Sequence, residues 1–282
     1  MILIADCGST KVDWCVLSEG KVVKQVFTTG MNALLMTEDE MAARIGDELM
    51  PGIEGYPIDT VYYYGAGCIS EEVCGGVRRA IARHIPDAKK INVDSDLLAA
   101  ARALCGTEAG IACIMGTGSN SCYYDGKAIV DNVSPLGYIL GDEGSGAVLG
   151  KILVGDVLKE QLPKHLCEKF LDEYKLTRLD IIRRVYKEPG GNRFLASLSP
   201  FLINNIEEPA IKQLVLNAFT AFFVRNIQHY EGYKKLSVNF VGSVAYYYAD
   251  ILREAAQPLG ITVGTIIKSP MEGLVEYHAV NG

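Results

Sequence analysis

Residues 1–23 (MILIADCGSTKVDWCVLSEGKVV) and 110–130 (GIACIMGTGSNSCYYDGKAIV) write one pattern twice. Each is an apolar strand, a glycine with Ser or Thr, a second strand, a tight turn and the start of a third strand. The turns match closely, Ser18-Glu19-Gly20-Lys21 against Tyr124-Asp125-Gly126-Lys127. Glycine tolerates positive φ, so such a pair of residues between apolar runs reads as a hairpin. One unit of this kind is ordinary. Two in a chain of 282 residues predict two similar domains that face each other.

Strands alternate with helices after each unit. Residues 60–64 are β-branched and aromatic. Over 70–85, Ser70 can cap a helix, Glu71 and Glu72 suit its positive end, and Val73, Val77, Ile81 and Ile85 recur at helical spacing before Pro86 stops it. A strand at 90–93 feeds a helix over 96–104. Further helices are expected at 152–162, 166–174, 179–186, 210–230 and 271–280. A strand at 236–241 passes through Gly242-Ser243 into a helix at 244–256. This is an α/β chain whose hairpins make the sheets mixed rather than wholly parallel. The boundary between halves falls near residues 106–110.

Composition narrows the function. Apolar residues make up 49% of the chain, enough for a sizeable core. The net charge of −7, without long same-sign runs, disfavours a nucleic-acid partner, although backbone amides and a metal can still hold a small phosphorylated ligand. Asp6 interrupts the opening apolar stretch with no basic residue ahead of it, so it does not read as a signal peptide. The run from 214 to 224 falls short of the ~20 residues that cross a bilayer, and a cytoplasmic protein without membrane partners is expected. The eight cysteines, at 7, 15, 68, 74, 105, 113, 122 and 167, include no C-x-x-C pair, so they read as small hydrophobes.

Three glycine-hydroxyl loops follow strands: Asp6-Cys7-Gly8-Ser9-Thr10-Lys11, Gly116-Thr117-Gly118-Ser119-Asn120 and Gly242-Ser243. Such loops let N–H groups approach an anion, though each alone reads equally as a turn. Neither Gly65-x-Gly67 nor Gly116-x-Gly118 has the third glycine of a dinucleotide site, and Gly150-Lys151 lacks the rest of a Walker loop. Asp6, beside the first loop, suits a Mg²⁺ that retains its waters, or simply caps a turn. Asp142 and Glu143 lie in a glycine-rich loop before a helix. Asp96 follows a strand and starts a helix, which makes it either a ligand-facing carboxylate or a favourable helix-start charge.

Together these pieces resemble the actin/hexokinase/Hsp70 superfamily of two-domain phosphotransferases. Within it, the chain most resembles the BadF/BadG-type ATPase family, in the branch containing N-acetylglucosamine kinase. The resemblance runs over nearly the whole chain. It is carried by Asp6-Cys7-Gly8-Ser9-Thr10, Gly30-Met31-Asn32, Ser95-Asp96, Gly116-Thr117-Gly118-Ser119-Asn120, Gly141-Asp142-Glu143-Gly144-Ser145 and Val241-Gly242-Ser243.

The resemblance implies an actin-like (ribonuclease H-like) fold with an interdomain cleft. One lobe covers 1–108, with the helix at 271–282 returning to it, and the nucleotide-binding lobe covers 109–270. It implies ATP-dependent phosphorylation of an amino sugar, most directly N-acetylglucosamine to its 6-phosphate, with ATP and Mg²⁺ and in a homodimer. Asp6, Gly8, Ser9, Thr10, Lys11, Gly116, Thr117, Gly118, Gly242 and Ser243 would hold ATP, Asp6 steering Mg²⁺ through water. Asn32, Ser119, Asn120, Gly137 and Asp142 would hold the sugar. Asp96 would orient the reacting hydroxyl and accept its proton. Cys7 and Ser9 depart from the glycines that many relatives carry there. Two alternatives accompany this reading: an ATPase that activates a 2-hydroxyacyl-CoA dehydratase through an iron–sulfur cluster, and a non-catalytic sugar or nucleotide sensor.

Overall fold

The duplicated pattern becomes two sheets of the same order. The structure, a computed structural model, describes residues 1–8 and 11–282. The chain forms two compact units. One comprises Met1–Glu108, Gly126–Ala128 and Ser269–Gly282, and the other comprises Ala109–Asp125 and Ile129–Lys268.

In the first unit, β1 (Ile2–Cys7) pairs antiparallel with β2 (Lys11–Ser18), which pairs antiparallel with β3 (Lys21–Thr29). The turn from β2 to β3 is Glu19-Gly20, with φ of 50° and 73°. Two successive left-handed residues give the hairpin whose twist matches that of the strands. β4 (Thr60–Gly65) runs parallel to β1, and β5 (Lys90–Ser95) runs parallel to β4. The order is β3-β2-β1-β4-β5.

The second unit repeats it. β6 (Gly110–Met115), β7 (Ser119–Tyr124) and β8 (Ile129–Asp131) form the antiparallel part, and β9 (Val238–Val241) and β10 (Val263–Ile267) add parallel strands. The order is β10-β9-β6-β7-β8, the same arrangement read from the other edge. The second hairpin differs in its turn. Tyr124 pairs with Ile129, so four residues make the connection that the Asp-Gly pair suggested would be tighter.

Alternation along the strands separates two faces in the first sheet. Leu3, Ala5 and Cys7 of β1 pack with Val12, Trp14, Val61 and Tyr63, and with Val77 and Ile81 of the helix Glu71–Ala82. Ser70 caps that helix by accepting from the Val73 N–H. Ile4 points the other way and packs with Cys15, Leu17 and Tyr64, with Ala99 of the helix Asp96–Cys105, and with Met271 and Leu274 of the helix Met271–Asn281. Burying each large apolar side chain among these contributes about 1.5–3 kcal/mol, so this two-faced packing fixes the strand register.

In the second unit, the helices Gly146–Leu158 and Pro209–Arg225 pack their apolar residues into one core with the sheet. The first starts six residues before the expected 152, because Ser145 caps it and Gly150 lets the helix Gly191–Leu198 approach. A Cβ on Gly150 would lie 1.9 Å from the Leu195 carbonyl oxygen. The segment read as one helix over 244–256 is two, Ser243–Tyr247 and Ala249–Ala256. Among the described residues, no helix is long and apolar enough to cross a membrane.

Candidate active site

In the first unit, the parallel strands end together: Cys7, Gly65 and Ser95 stand in register at the carboxyl ends of β1, β4 and β5. One residue earlier lies a polar row. Asp6 faces Asp13 on one side and Tyr64 on the other, and Tyr64 faces Asp94. Strand alternation puts all four on the face covered by the helices Asp96–Cys105 and Met271–Asn281.

Asp96 is the first residue of its helix, but it is not the cap. Ser95 Oγ accepts the Leu98 N–H at 3.2 Å. The Asp96 carboxylate accepts from the backbone N–H groups of Asp96 and Leu97, and burial outweighs these bonds and raises its pKa. Asp6 is pushed to about 7, first by burial and then by the negative charges of Asp96 and Asp13, with Lys11 partly opposing. Asp6 and Asp96 are therefore electrostatic neighbours. Lys11 opens β2 and carries its ammonium 5.3 Å from the centre of the Phe27 ring. The Gly8 N–H donates to the Lys11 carbonyl at 3.0 Å, closing the loop whose middle residues, Ser9 and Thr10, lie outside the described residues.

Asn32 sits in a segment tied to the same strand ends. The Ala66 N–H donates to the Cys7 carbonyl, the Ala33 N–H donates to the Ala66 carbonyl, and Asn32 Oδ1 accepts the Leu34 N–H at 3.0 Å. Gly67 is required beside it. Its φ is 86°, and a Cβ there would lie 2.7 Å from Asn32 Oδ1.

In the second unit, Met115 pairs with Ser119, leaving residues 116–118 as the loop between β6 and β7. The Gly116 N–H donates to the Gly118 carbonyl. The Gly116 and Thr117 carbonyls accept from the Gly146 and Ala147 N–H groups. The loop is thus fixed by the start of the following helix, while Thr117 itself is exposed. Gly242, with φ of 131°, lies so close that a Cβ would meet the Met115 carbonyl oxygen at 2.4 Å. This contact brings Gly242-Ser243 against the 116–118 loop. Asp142 reaches the same loop: its Oδ2 lies 3.0 Å from where a Cβ on Gly118 would be, and its carboxylate accepts the Ser119 N–H. Burial, then Glu143, raises its pKa to about 6.

The remaining proposed sugar contacts are partly engaged within the fold. Buried Ser119 donates its hydroxyl to the Glu143 carbonyl at 2.8 Å. Asn120 Oδ1 accepts from the Ser121 N–H and from Asn132 Nδ2. Gly137 is exposed, with φ of 73°. Sequence reasoning named Glu143 in the glycine-rich loop but gave it no place in the site; its carboxylate takes bonds from Arg225 and Asn226 and holds the acidic loop. The same reasoning passed over Asp13, whose spacing from Asp6 across a hairpin could have been read, and Tyr64, Arg102 and His278, for which no local pattern exists.

Two sheets of duplicated order, each with a glycine-hydroxyl loop after its first strand, define the actin-like ATPase and sugar-kinase class of fold. A scan of protein-family models and a search of curated proteins each gave no match. Solved structures did. A candidate N-acetylglucosamine kinase from Porphyromonas gingivalis is 48% identical, covers 100% of this chain and 99% of its own, and has a TM-score of 0.96. One from Chromobacterium violaceum is 15% identical with a TM-score of 0.77, covering 98% of each chain. A ROK family glucokinase from Streptomyces griseus, solved with glucose and AMPPNP, shares the fold at 13% identity and a TM-score of 0.55, over 99% of this chain and 100% of its own. This chain belongs to the N-acetylglucosamine kinase-like branch of the BadF/BadG-type ATPase family.

Proposed function

We propose that this protein is an ATP-dependent amino-sugar kinase that transfers the γ-phosphoryl group of ATP to the 6-hydroxyl of N-acetylglucosamine. The observation that carries this reading is full-length identity of 48% with the candidate N-acetylglucosamine kinase from Porphyromonas gingivalis. The loops and carboxylates described above support it.

Phosphoryl transfer needs positioning and charge neutralisation more than a strong base. Asp96 accepts the proton of the sugar O6–H as O6 bonds to the γ-phosphorus and the bond to the β,γ-bridging oxygen breaks, releasing ADP. Burial raises its basicity for that role. Thr117 and the backbone of 116–118 contact phosphates, with Thr10, Gly8 and Lys11 contributing from the first loop. Gly242 and Ser243 adjoin the nucleotide. Asn32, Asn120, Gly137 and Asp142 orient the sugar, and Ser119 does so through its lone pairs.

The acidic pair fits a divalent cation. Asp6 is held near 7 by burial and by Asp96, so a positive ion there would relieve both. Mg²⁺ is commonly held by one or two carboxylates together with substrate phosphates rather than by a dedicated protein cage. Asp6 would hold it through water, and it would neutralise developing phosphate charge.

The dehydratase-activator alternative needs thiols at a subunit surface. Cys113 and Cys122 are wholly buried in β6 and β7. A coupled ADP-release assay with N-acetylglucosamine, glucosamine, N-acetylmuramic acid and glucose tests the proposal. The highest kcat/KM is expected with N-acetylglucosamine. No turnover with any sugar, together with an iron–sulfur absorbance band in anaerobically purified protein, would overturn it. Sedimentation velocity of the same sample tests the homodimer.

A further inference from the structure

We propose that Arg102, Tyr64 and His278 form a buried polar lock that holds Asp96 in position, making Arg102 and Tyr64 positioning residues for phosphoryl transfer. The inference rests on the reading of Asp96 as the proton acceptor.

Arg102 lies on the Asp96 helix, six residues on, about 9 Å along the axis. Its Nη1 donates to Tyr64 Oη at 2.6 Å and stands 3.8 Å from Asp94 Oδ2. Tyr64 is the β4 residue directly beside Asp6 in β1. The guanidinium therefore pins the helix that carries Asp96 to the strand row that carries Asp6.

One arrangement uses every proton of the pair. Arginine only donates, so Tyr64 Oη accepts from Arg102, and its own proton is used when it goes to His278 Nε2, 2.8 Å away. In that arrangement His278 is neutral with its proton on Nδ1. Burial first, and then the charges of Arg102 and Lys90, lower its pKa to about 4, in agreement. His278 stacks on Tyr62 with ring centres 3.9 Å apart. Its helix reaches the Asp96 helix so closely that a Cβ on Gly273 would meet the Ala103 carbonyl oxygen at 2.4 Å. The chain Arg102 to Tyr64 to His278 thus spans two helices and the strand between them.

This network is a poor device for stability alone. Among the described residues, His278 Nδ1 and Arg102 Nε are buried without a hydrogen-bond partner, and well-packed apolar residues commonly serve at least as well as such groups. Its directional bonds instead exclude a shift or rotation of the Asp96 helix on the sheet. In phosphoryl transfer, displacement of a catalytic carboxylate by about 1 Å can lower the rate on the order of 10²-fold.

The test is a double-mutant cycle with Asp96→Asn and Tyr64→Phe, the latter removing one oxygen while keeping the ring. Tyr64→Phe is expected to lower kcat about 10-fold with KM for MgATP within about twofold of the parent. In the Asp96→Asn background it should cause no further loss, because it acts through the carboxylate that is gone. Arg102→Met should behave likewise, and Arg102→Lys should recover part of the rate. Multiplying losses in the cycle, or a folded Tyr64→Phe variant with parental kcat, would overturn the lock while leaving the kinase reading standing. If Arg102→Met does not fold, the Tyr64→Phe cycle decides alone. An Asp96→Asn single variant with most of its turnover would instead remove the acid–base reading, and the lock with it.

Discussion

Asp6→Asn should make the unliganded protein more stable while disabling it. The carboxylate of Asp6 is raised from 3.8 to about 7, by burial first and by Asp96 and Asp13 next. In the unfolded chain it ionises near its ordinary value. The folded state therefore keeps a proton that the unfolded state has released, and stability falls as pH rises from about 4 to about 7. The difference between 3.8 and about 7 corresponds to a ceiling of about 4 kcal/mol above pH 7. Water at the part-exposed carboxylate screens some of it, leaving an expected gain of about 1–3 kcal/mol for the neutral amide. At roughly 2–4 °C per kcal/mol, melting at pH 8 should rise by several degrees. Near pH 4 the parent carboxyl is already neutral when folded, and the difference should vanish. Scanning calorimetry of both proteins at pH 4, 6 and 8 reads this directly. MgATP should raise the melting temperature of the parent and not of the variant. A variant no more stable than the parent at pH 8, or equally stabilised at pH 4, would refute the reasoning.

Three other outcomes follow from the same structure. Asp96→Asn should lower kcat by roughly 10²–10⁴-fold with nucleotide affinity near parental, measured by steady-state kinetics and calorimetric titration; Ser95 keeps its cap on the helix, and loss of a buried charge beside Asp6 should raise melting at pH 8 rather than lower it. Gly242→Ala should destabilise by more than about 1 kcal/mol, since its φ of 131° and the 2.4 Å approach to Met115 leave no room for a methyl group, and urea titration measures the loss. His278→Gln should flatten the acid limb of the stability profile: with the imidazole at about 4 when folded and 6.5 when unfolded, the parent loses up to about 3 kcal/mol as pH falls through that window.

Local chemistry makes much of this fold legible. The hairpin at Glu19-Gly20, the Ser70 and Ser95 caps and the alternating strands each depend on a few adjacent residues, so the duplicated sheet can be read from the amino acids alone. β10 cannot, because its residues are half-buried or exposed and show no clean alternation. The helix Gly191–Leu198 is hidden for another reason: its place follows from close approach to Gly150, some forty residues earlier. The candidate site divides in the same way. The loops at 6–11, 116–118 and 242–243 announce themselves through glycine, and Gly242 indeed presses on the 116–118 loop. That Asp6 shares its surroundings with Asp96, that Glu143 is held by Arg225, and that Tyr64 joins Arg102 to His278 are long-range facts that no spacing encodes.

The return of the helix Met271–Asn281 to the first unit bears on how the protein is made. A ribosome delivers β1 to β5 before the second unit, but Ile4, Cys15, Leu17 and Tyr64 receive Met271 and Leu274 only after that whole unit has been made. Until then, one face of the first sheet lacks part of its cover. The second unit, continuous from 129 to 268, has all its strands before that helix emerges. The order of completion is therefore the reverse of the order of synthesis, and the nascent first sheet keeps apolar surface exposed for longer than the second.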